Sequence, residues 1–223
     1  MNSSLVELVN ICKNFDDVTV LKDINLNIKP HESLSICGIS GSGKTTLVNL
    51  IGLLQQPTSG KILWYGNDVM TLSAKQISQT RAKTFGYVFQ QCHLIPELNV
   101  IENILFPKRM IGRVSQEDIA FAHKLLQYVG LKGFEQRNIT TLSGGESQRI
   151  ATIRAMINHP SIVIADEPTG SLDINSATTV IDMLIDLCTQ YGSTLLLITH
   201  NTKFAEKTDS IYHIENFQLR KVK

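Results

Sequence analysis

Hydrophobic positions in the first 90 residues follow the short, alternating pattern of β-strands. The runs are LVELVNI at 5–11, VTVLKDINLNI at 18–28, LSIC at 34–37, KILWYG at 61–66 and FGYVFQ at 85–90. Lys29-Pro30-His31-Glu32 predicts a turn between the second and third runs. A helix is predicted from Gly43 through TTLVNLIGLL, ending near Pro57, and the polar segment 72–83 permits another helix.

The pattern changes between about residue 92 and residue 158, where apolar residues recur at helical spacing. Helices are predicted over LNVIENILF, SQEDIAFAHKLLQYVGL and GESQRIATIRAMI, and Ser115 with Asp118 is typical of the start of the second one. Strands return at SIVIAD (161–166) and STLLLIT (193–199), with a helix near 176–190 between them. The pattern therefore predicts one α/β domain with a helical insertion.

Composition narrows the possible classes of protein. The chain has 223 residues, 43% hydrophobic, with a formal net charge of +1. Without a basic excess, we expect no nucleic-acid partner. Four cysteines without a CxxC pair indicate free thiols in a reducing cytosol. The N-terminus lacks a secretion signal pattern, and no run approaches the roughly 20 apolar residues of a membrane span. Any work at a membrane is therefore expected to use a partner.

The segment GISGSGKTT fits the phosphate-binding pattern G-x-x-x-x-G-K-[ST]. It follows an apolar strand and opens a helix, which is the context that this motif requires. Glycine backbone amides and the helix N-terminus bind phosphate oxygens. Lys44 is expected to reach the β- and γ-phosphates, and the Thr45 hydroxyl to ligate Mg²⁺. The candidate nucleotide-binding residues are Gly38, Ser40, Gly41, Ser42, Gly43, Lys44, Thr45 and Thr46.

A pair of acidic residues ends the buried strand SIVIAD and continues into EP. Open α/β sheets bind ligands at the carboxyl edge of their strands. Asp166 suits the Mg²⁺ shell, and Glu167 suits a general base that polarises the attacking water. An acidic pair after a strand is often only a loop or a helix cap, but the phosphate loop shifts the interpretation to hydrolysis of a Mg-nucleotide.

Three single residues have an ordinary and a functional interpretation. Gln90 follows the FGYVFQ strand and is either a surface residue or a ligand of Mg²⁺ or its waters. His200 follows STLLLIT at the same predicted edge and is either structural or catalytic. Phe15 is either part of the core or a stacking surface for a purine ring.

The segment LSGGE at 142–146 joins these features into one pattern. Phosphate loop, Gln90, LSGGE, Asp166-Glu167, Ser171-Leu172-Asp173 and His200, in that order, resemble the ATPase subunits of ABC transporters over nearly the whole chain. The resemblance implies a P-loop NTPase (RecA-like) core with an N-terminal antiparallel β subdomain and an inserted α-helical subdomain. It implies that 1–223 is a single domain, with approximately 1–90 and 160–223 in the core and 91–159 in the helical subdomain.

The resemblance also implies where the cofactors and partners bind. Two subunits would form a head-to-tail homodimer around two ATP-Mg²⁺, with Ser143, Gly144 and Gly145 serving the ATP of the other subunit. Asp173 would lie in the loop through which the two sites sense each other. Gln90, Glu167 and His200 would be the catalytic residues, and an integral membrane subunit would dock in a groove near Gln90. The protein would then lie at the cytoplasmic face of the inner membrane.

Three longer sequence segments narrow the resemblance to one branch of the family. GLLQQPTSGKI, FGYVFQQCHLIPELNVIENILFP and ADEPTGSLD look like the branch that drives lipoprotein-releasing and macrolide-export transporters, to which a cell-division ATPase is also similar. An ATP-hydrolysing transport motor is the leading hypothesis. A regulatory ATPase that signals through a membrane partner remains the alternative. A small-molecule kinase has no use for LSGGE or for a Glu beside the Mg²⁺-binding Asp.

Overall fold

The computed structural model describes residues 4–223, and the first three residues of the predicted core lie outside it. Its strands are β1 (Val6–Phe15), β2 (Val18–Ile28), β3 (Ser33–Cys37), β4 (Ser59–Trp64), β5 (Asn67–Asp68), β6 (Phe85–Phe89), β7 (Ile162–Asp166), β8 (Thr194–Ile198), β9 (Ser210–Glu215) and β10 (Gln218–Lys221). Its helices are α1 (Lys44–Ile51), α2 (Ala74–Thr84), α3 (Val100–Ile111), α4 (Gln116–Tyr128), α5 (Gly144–Met156), α6 (Ile174–Tyr191) and α7 (Thr202–Ala205).

The strands form two sheets. The antiparallel sheet has the order β2-β1-β4-β5, and the larger sheet has the order β10-β9-β3-β8-β7-β6. In the larger sheet all neighbours are parallel except the β9–β10 pair. The three helices α3, α4 and α5 lie between β6 and β7 in the chain. This architecture confirms the predicted fold class, while the division into subdomains at residues 90 and 160 stays a prediction.

Both faces of the larger sheet are buried, which explains the continuous apolar runs in its strands. In β7, Ile162 and Ile164 pack into the cluster that includes the antiparallel sheet and α1, whereas Val163 and Ala165 pack into the cluster formed with α3 to α6. Successive side chains therefore point into two different cores, as the two-residue period of a strand requires.

Polar residues determine where the inserted helices begin. Ser115 and Asp118 form a capping box at the start of α4, which confirms the predicted start. Asn99 with Glu102 and Ser143 with Glu146 do the same for α3 and α5. Each pair satisfies two backbone amides that a helix N-terminus leaves without partners.

Two sequence predictions missed local backbone geometry. The helix α1 ends at Ile51 rather than near Pro57, because Leu53 has φ 56° and the chain turns there. Gly52 packs against Tyr87, whose hydroxyl donates to Gly52 O at 2.6 Å, and a methyl group at Gly52 would lie 2.4 Å from that hydroxyl oxygen. The hairpin β9–β10 was not predicted, although β9 pairs with β3 beside the phosphate loop.

Candidate functional site

Strand register brings the predicted polar residues to one edge of the larger sheet. Phe89 pairs with Asp166, and Asp166 pairs with Ile198. Ile36, which precedes the phosphate loop by two residues, also pairs with Ile198. The residues at the carboxyl ends of β3, β6, β7 and β8 consequently surround a single cavity of about 520 Å³. Its lining includes Ser40, Gly41, Gly43, Lys44, Thr45, Thr46, Gln90, Asp166, Glu167 and His200.

The phosphate loop wraps the side chain of Lys44. Its ammonium donates to the carbonyl oxygens of Gly38 and Ile39, each at 2.8 Å. Gly43 has φ 99°, a left-handed conformation that favours glycine. Gly38 and Ser42 lie on the other side of the loop, where a methyl group at Gly38 would stand 2.9 Å from Ile214 O. The closely packed backbone of the loop therefore surrounds the Lys44 ammonium.

Glu167 and His200 form a coupled pair at the cavity wall. His200 Nδ1 lies 2.6 Å from Glu167 Oε2, which is within hydrogen-bonding distance of the carboxylate. Glu167 has φ 50°, an unusual backbone conformation for a non-glycine residue. Such conformations cost about 1–3 kcal/mol and cluster at functional sites. The strained backbone and the imidazole together fix the direction in which the carboxylate points.

The residues around Asp166 fit a magnesium site. Burial raises the pKa of the Asp166 carboxyl above its usual value, and the charge of Glu167 raises it further, against the opposing effect of Lys44. A divalent cation would stabilise the ionised carboxylate at this position. Thr45, Gln90 and Asp166 offer hydroxyl, amide and carboxylate oxygens, the hard donors that Mg²⁺ prefers. In the loop itself, Ser42 Oγ is buried and has no hydrogen-bond partner within residues 4–223.

The Gln90 side chain lies against Gly170. A methyl group at Gly170 would stand 2.7 Å from Gln90 Nε2, so the bare backbone at this position makes room for the amide. Gly170 belongs to the loop between Glu167 and Asp173. Gln90 therefore contacts the loop that connects the carboxylate pair to the start of α6.

Residues of α5 hold the backbone on both sides of Gln90, and the sequence did not indicate these contacts. Gln148 Nε2 donates to Phe89 O at 3.0 Å. The Arg154 guanidinium donates to Cys92 O at 2.6 Å and His93 O at 2.7 Å. Burial lowers the pKa of this guanidinium, and the two carbonyls compensate its charge. The backbone on both sides of Gln90 is thus attached to the helix that begins with LSGGE.

Three residues of the LSGGE segment line a second cavity of about 420 Å³. Its lining includes Ser143, Gly144, Gly145, Arg149, Ser171, Leu172 and Asp173. Asp173 caps α6 by accepting hydrogen bonds from the backbone amides of Asn175 and Ser176. This cavity and the phosphate-loop cavity share no lining residue. One subunit therefore presents the two predicted halves of a site on separate surfaces.

Phe15 lies at the end of the β1–β2 hairpin with 45% of its surface exposed, so it is not a core residue. The Lys13 ammonium stands 4.9 Å from its ring centroid. Phe15 does not line the phosphate-loop cavity, but Val20 of the same hairpin does. Sequence reasoning missed Val20, because a valine within a strand gives no signal beyond strand propensity.

Comparison with known proteins gives similarity over nearly the full chain. Residues 21–170 match the family described as ABC transporter. The lipoprotein-releasing system ATP-binding protein LolD of Bacteroides thetaiotaomicron is 37% identical over 217 residues, which cover 97% of this chain and 100% of LolD. The macrolide export ATP-binding/permease protein MacB of Pasteurella multocida is 40% identical over 98% of this chain and 34% of MacB.

A solved structure of an ATP-binding cassette is also similar to this chain over nearly its full length. The dimeric post-hydrolysis structure of the ATP-binding cassette MJ0796 bound to ADP and Pi has a TM-score of 0.86 and 34% identity. The match covers 98% of each chain.

In the part of this chain that the structure describes, none of the helices has the length and apolar character needed to span a membrane.

Proposed function

This chain belongs to the ABC transporter family and is an ATPase, and we propose that it is the motor subunit of a lipoprotein-releasing or related export transporter. The observation that carries the proposal is the cavity where Lys44, Glu167 and His200 meet at the carboxyl edge of one sheet. Its charges suit a nucleotide: a lysine within a phosphate loop, and a carboxylate oriented by an imidazole. The regulatory alternative is not favoured, because the similar proteins named above serve lipoprotein release and macrolide export.

We propose that the phosphate loop binds the ATP phosphates. Backbone amides of residues 40–45 surround the phosphate oxygens at the N-terminus of α1, where the helix dipole favours negative charge. The Lys44 ammonium contacts the β- and γ-phosphates through charge-assisted hydrogen bonds. Thr45, Gln90 and Asp166 would hold Mg²⁺, which neutralises charge on the transferred phosphoryl group.

In the proposed hydrolysis step, Glu167 accepts a proton from water while the water oxygen attacks the γ-phosphorus. The bond from the γ-phosphorus to the oxygen bridging it to the β-phosphate breaks, and ADP leaves with that electron pair. His200 acts as a positioning residue, since its Nδ1 holds Glu167 Oε2 at 2.6 Å. The fixed carboxylate supplies the geometry that general-base catalysis requires.

We propose that the catalytic sites are completed in trans. The LSGGE residues occupy a cavity separate from the phosphate loop, so a head-to-tail homodimer would bring each signature to the ATP on the other subunit. Gly144 and Gly145 at the start of α5 leave backbone amides accessible to a γ-phosphate. Ser143 accepts a hydrogen bond from Glu146 N at 3.3 Å, which holds its side-chain oxygen at the N-terminus of α5 beside those amides.

A cavity of about 490 Å³ lies where the sheet core meets the inserted helices, and we call it the docking groove. It lies between α2, β6, α3 and α5, and its apolar lining includes Phe85, Tyr87, Phe89, Phe106, Met110 and Ala155. We propose that a cytoplasmic helix of an integral membrane subunit occupies this groove. The protein would then be peripheral at the cytoplasmic face of the inner membrane.

The test of the proposed function is ATPase activity with an integral membrane subunit identified by co-purification with this chain. We expect hydrolysis by the isolated chain and a higher rate when that subunit is present in nanodiscs. An unchanged rate with the membrane subunit would contradict the transport function while leaving the ATPase assignment in place.

Phe15→Ala is expected to weaken ATP binding by about 1–3 kcal/mol, if stacking energies for bases apply to this exposed ring. Phe15→Tyr keeps the ring and should bind ATP at least as well. Isothermal titration calorimetry with ATP measures both affinities. An unchanged affinity of Phe15→Ala would show that the purine packs elsewhere, for instance against Val20.

Gln90→Ala is expected to lower partner-stimulated ATPase activity more than it lowers ATP affinity. Gln90 is a proposed Mg²⁺ ligand, and its flanking backbone is attached to α5 through Gln148 and Arg154. A change at the phosphates would therefore reach the docking groove through this segment. The measurement compares ATPase rates with and without the membrane subunit.

Gly170→Ala provides a second route to the same effect, because the added methyl group displaces the Gln90 amide without removing it. Gln91→Ala, at the exposed neighbouring residue, is the matched control. Equal stimulation of the wild type and Gln90→Ala would show that Gln90 does not couple the nucleotide to the partner.

A further inference from the structure

Positive charge is concentrated around the docking groove. The whole chain is almost neutral, with a net charge of +1, yet residues 69–96 contain Lys75, Arg81 and Lys83 and no acidic residue. Arg154 adds another cation to the groove lining, which includes no aspartate or glutamate. An occupant of this groove therefore meets apolar side chains and two arginines, with no carboxylate in the lining.

The two arginines of the groove differ in what surrounds their charge. The guanidinium of Arg154 is tied to the carbonyl oxygens of Cys92 and His93. Arg81 donates one hydrogen bond, to Leu53 O at 3.1 Å, and forms no ion pair with any residue from 4 to 223. Since a guanidinium has five N–H donors, Arg81 keeps donors for a partner.

Arg81 also marks the middle of a longer apolar surface. It lines both the docking groove and a neighbouring cavity of about 370 Å³. Leu54 and Met70 line that second cavity and are 45% and 38% exposed. Apolar side chains thus continue on both sides of a half-buried arginine. A complementary surface would be apolar along its length with one negative charge between its ends.

We propose that the membrane subunit docks through an amphipathic helix whose apolar face carries one carboxylate, which pairs with Arg81. The inference rests on the proposed function and specifies the chemistry of its partner. Arg81 presents a planar fork of donors that matches a carboxylate in a bidentate geometry. Apolar residues before and after the carboxylate fill the two cavities and exclude water from the pair, which strengthens the ion pair.

The surroundings of Arg81 favour a protein helix over the phosphate of an anionic lipid. Lys75 and Lys83 are exposed, whereas Arg81 is half-buried between apolar walls. Lipid headgroups meet exposed lysines readily, and the attraction is spread over many cations. A single recessed cation next to aromatic side chains instead suits one carboxylate at a defined place on a folded partner.

The experiment uses the membrane subunit identified by co-purification with this chain, placed in nanodiscs, and compares each variant's stimulated ATPase rate with its own basal rate. Arg81→Glu should reduce this stimulation ratio by about tenfold or more, as expected for a like-charge contact in an interface. Arg81→Lys keeps the charge and should retain part of the stimulation. Lys75→Glu, the same charge reversal at an exposed position of α2, should leave the ratio unchanged.

The partner side of the pair is tested by exchange of charge. Each aspartate and glutamate in the cytoplasmic helices of the membrane subunit is replaced by lysine, and one replacement should restore stimulation to Arg81→Glu. A structural role of Arg81, through its bond to Leu53 O, predicts no such restoration. Circular dichroism melting of Arg81→Glu checks that the variant is folded.

Three outcomes would overturn the inference while the proposed function stands. Normal stimulation of Arg81→Glu would do so while the transport function stands, and so would failure of every partner replacement to restore that variant. Binding of the wild type to protein-free nanodiscs of phosphatidylglycerol, lost in Arg81→Glu, would assign the cation to lipid instead. If the membrane subunit does not stimulate the wild type, the proposed transport function fails as well.

Discussion

Glu167→Gln should reduce the rate of ATP hydrolysis by about 10²–10⁴-fold, the usual contribution of a general base. The amide has nearly the shape of the carboxylate but does not accept the proton of the attacking water. ATP binding should remain, because the phosphate loop and Lys44 are untouched. The two proposed sites would then hold unhydrolysed ATP, and we expect the variant to accumulate as an ATP-bound dimer.

Two measurements check this expectation together. A coupled assay gives the rate of phosphate release, and size-exclusion chromatography with Mg-ATP gives the fraction of dimer. Glu117→Gln makes the same chemical change at an exposed residue of α4 and should hydrolyse ATP like the wild type. Hydrolysis by Glu167→Gln at the wild-type rate would remove Glu167 from the role of base.

The His200 contact leads to a graded expectation. His200→Ala removes the imidazole that holds Glu167 Oε2 but leaves the carboxylate itself in place. Its rate should therefore lie between those of the wild type and Glu167→Gln. An order in which His200→Ala is the slower of the two would indicate that the imidazole contributes more than positioning.

The arrangement of this site was largely predictable because parallel strands place their carboxyl ends along one edge. Gln90, Asp166 and His200 each follow an apolar run, so a correct prediction of three strands predicted their convergence. The resemblance in sequence order then separated Gln90 and His200 from ordinary surface residues. Local pattern alone had left both interpretations of each residue open.

Local backbone geometry explains why the sequence did not predict some of the elements. The turn between β9 and β10 places Asn216 at φ 49° and Phe217 at φ 65°. Hairpins with two such residues usually carry glycine at the second position, and phenylalanine there removes the signal from the sequence. Similarly, the sequence predicts an ordinary helix position at Gly52, because the contact of Gly52 with Tyr87 depends on a strand 35 residues away in the chain.

Contacts of polar side chains with distant backbone were also beyond prediction. Arg154 looks like a surface residue on a periodic helix, yet it donates to carbonyls 61 and 62 residues earlier. Nothing in its local sequence indicates those acceptors, which exist only after α5 packs beside β6. The attachment of the Gln90 segment to α5 is therefore a property of the packed structure.

Combining Lys44→Ala and Ser143→Arg subunits gives the second large effect, because each variant alone should be almost inactive. Lys44→Ala removes the cation that contacts phosphate, and Ser143→Arg places a bulky charge at the signature. A mixed head-to-tail dimer carries both lesions in one composite site and neither in the other. Mixing the two inactive proteins should therefore restore part of the ATPase activity.

The reciprocal mixture is the matched control. Wild type mixed with the double variant Lys44→Ala/Ser143→Arg contains the same lesions, but each composite site of that mixed dimer now receives one of them. Sites shared in trans predict that the first mixture is active and that mixed dimers of the second are not. Sites complete within one subunit predict the reverse, because the second mixed dimer keeps a whole wild-type subunit.

Cross-linking with differently tagged subunits measures the fraction of mixed dimers, so the two rates are compared per mixed dimer. The separate cavities of the phosphate loop and the signature, which share no lining residue, are the reason to expect activity in the first mixture. Activity confined to the second mixture would mean that Ser143 serves the ATP of its own subunit. Such a result would require the helix α5 to move its signature onto the phosphate loop of the same chain.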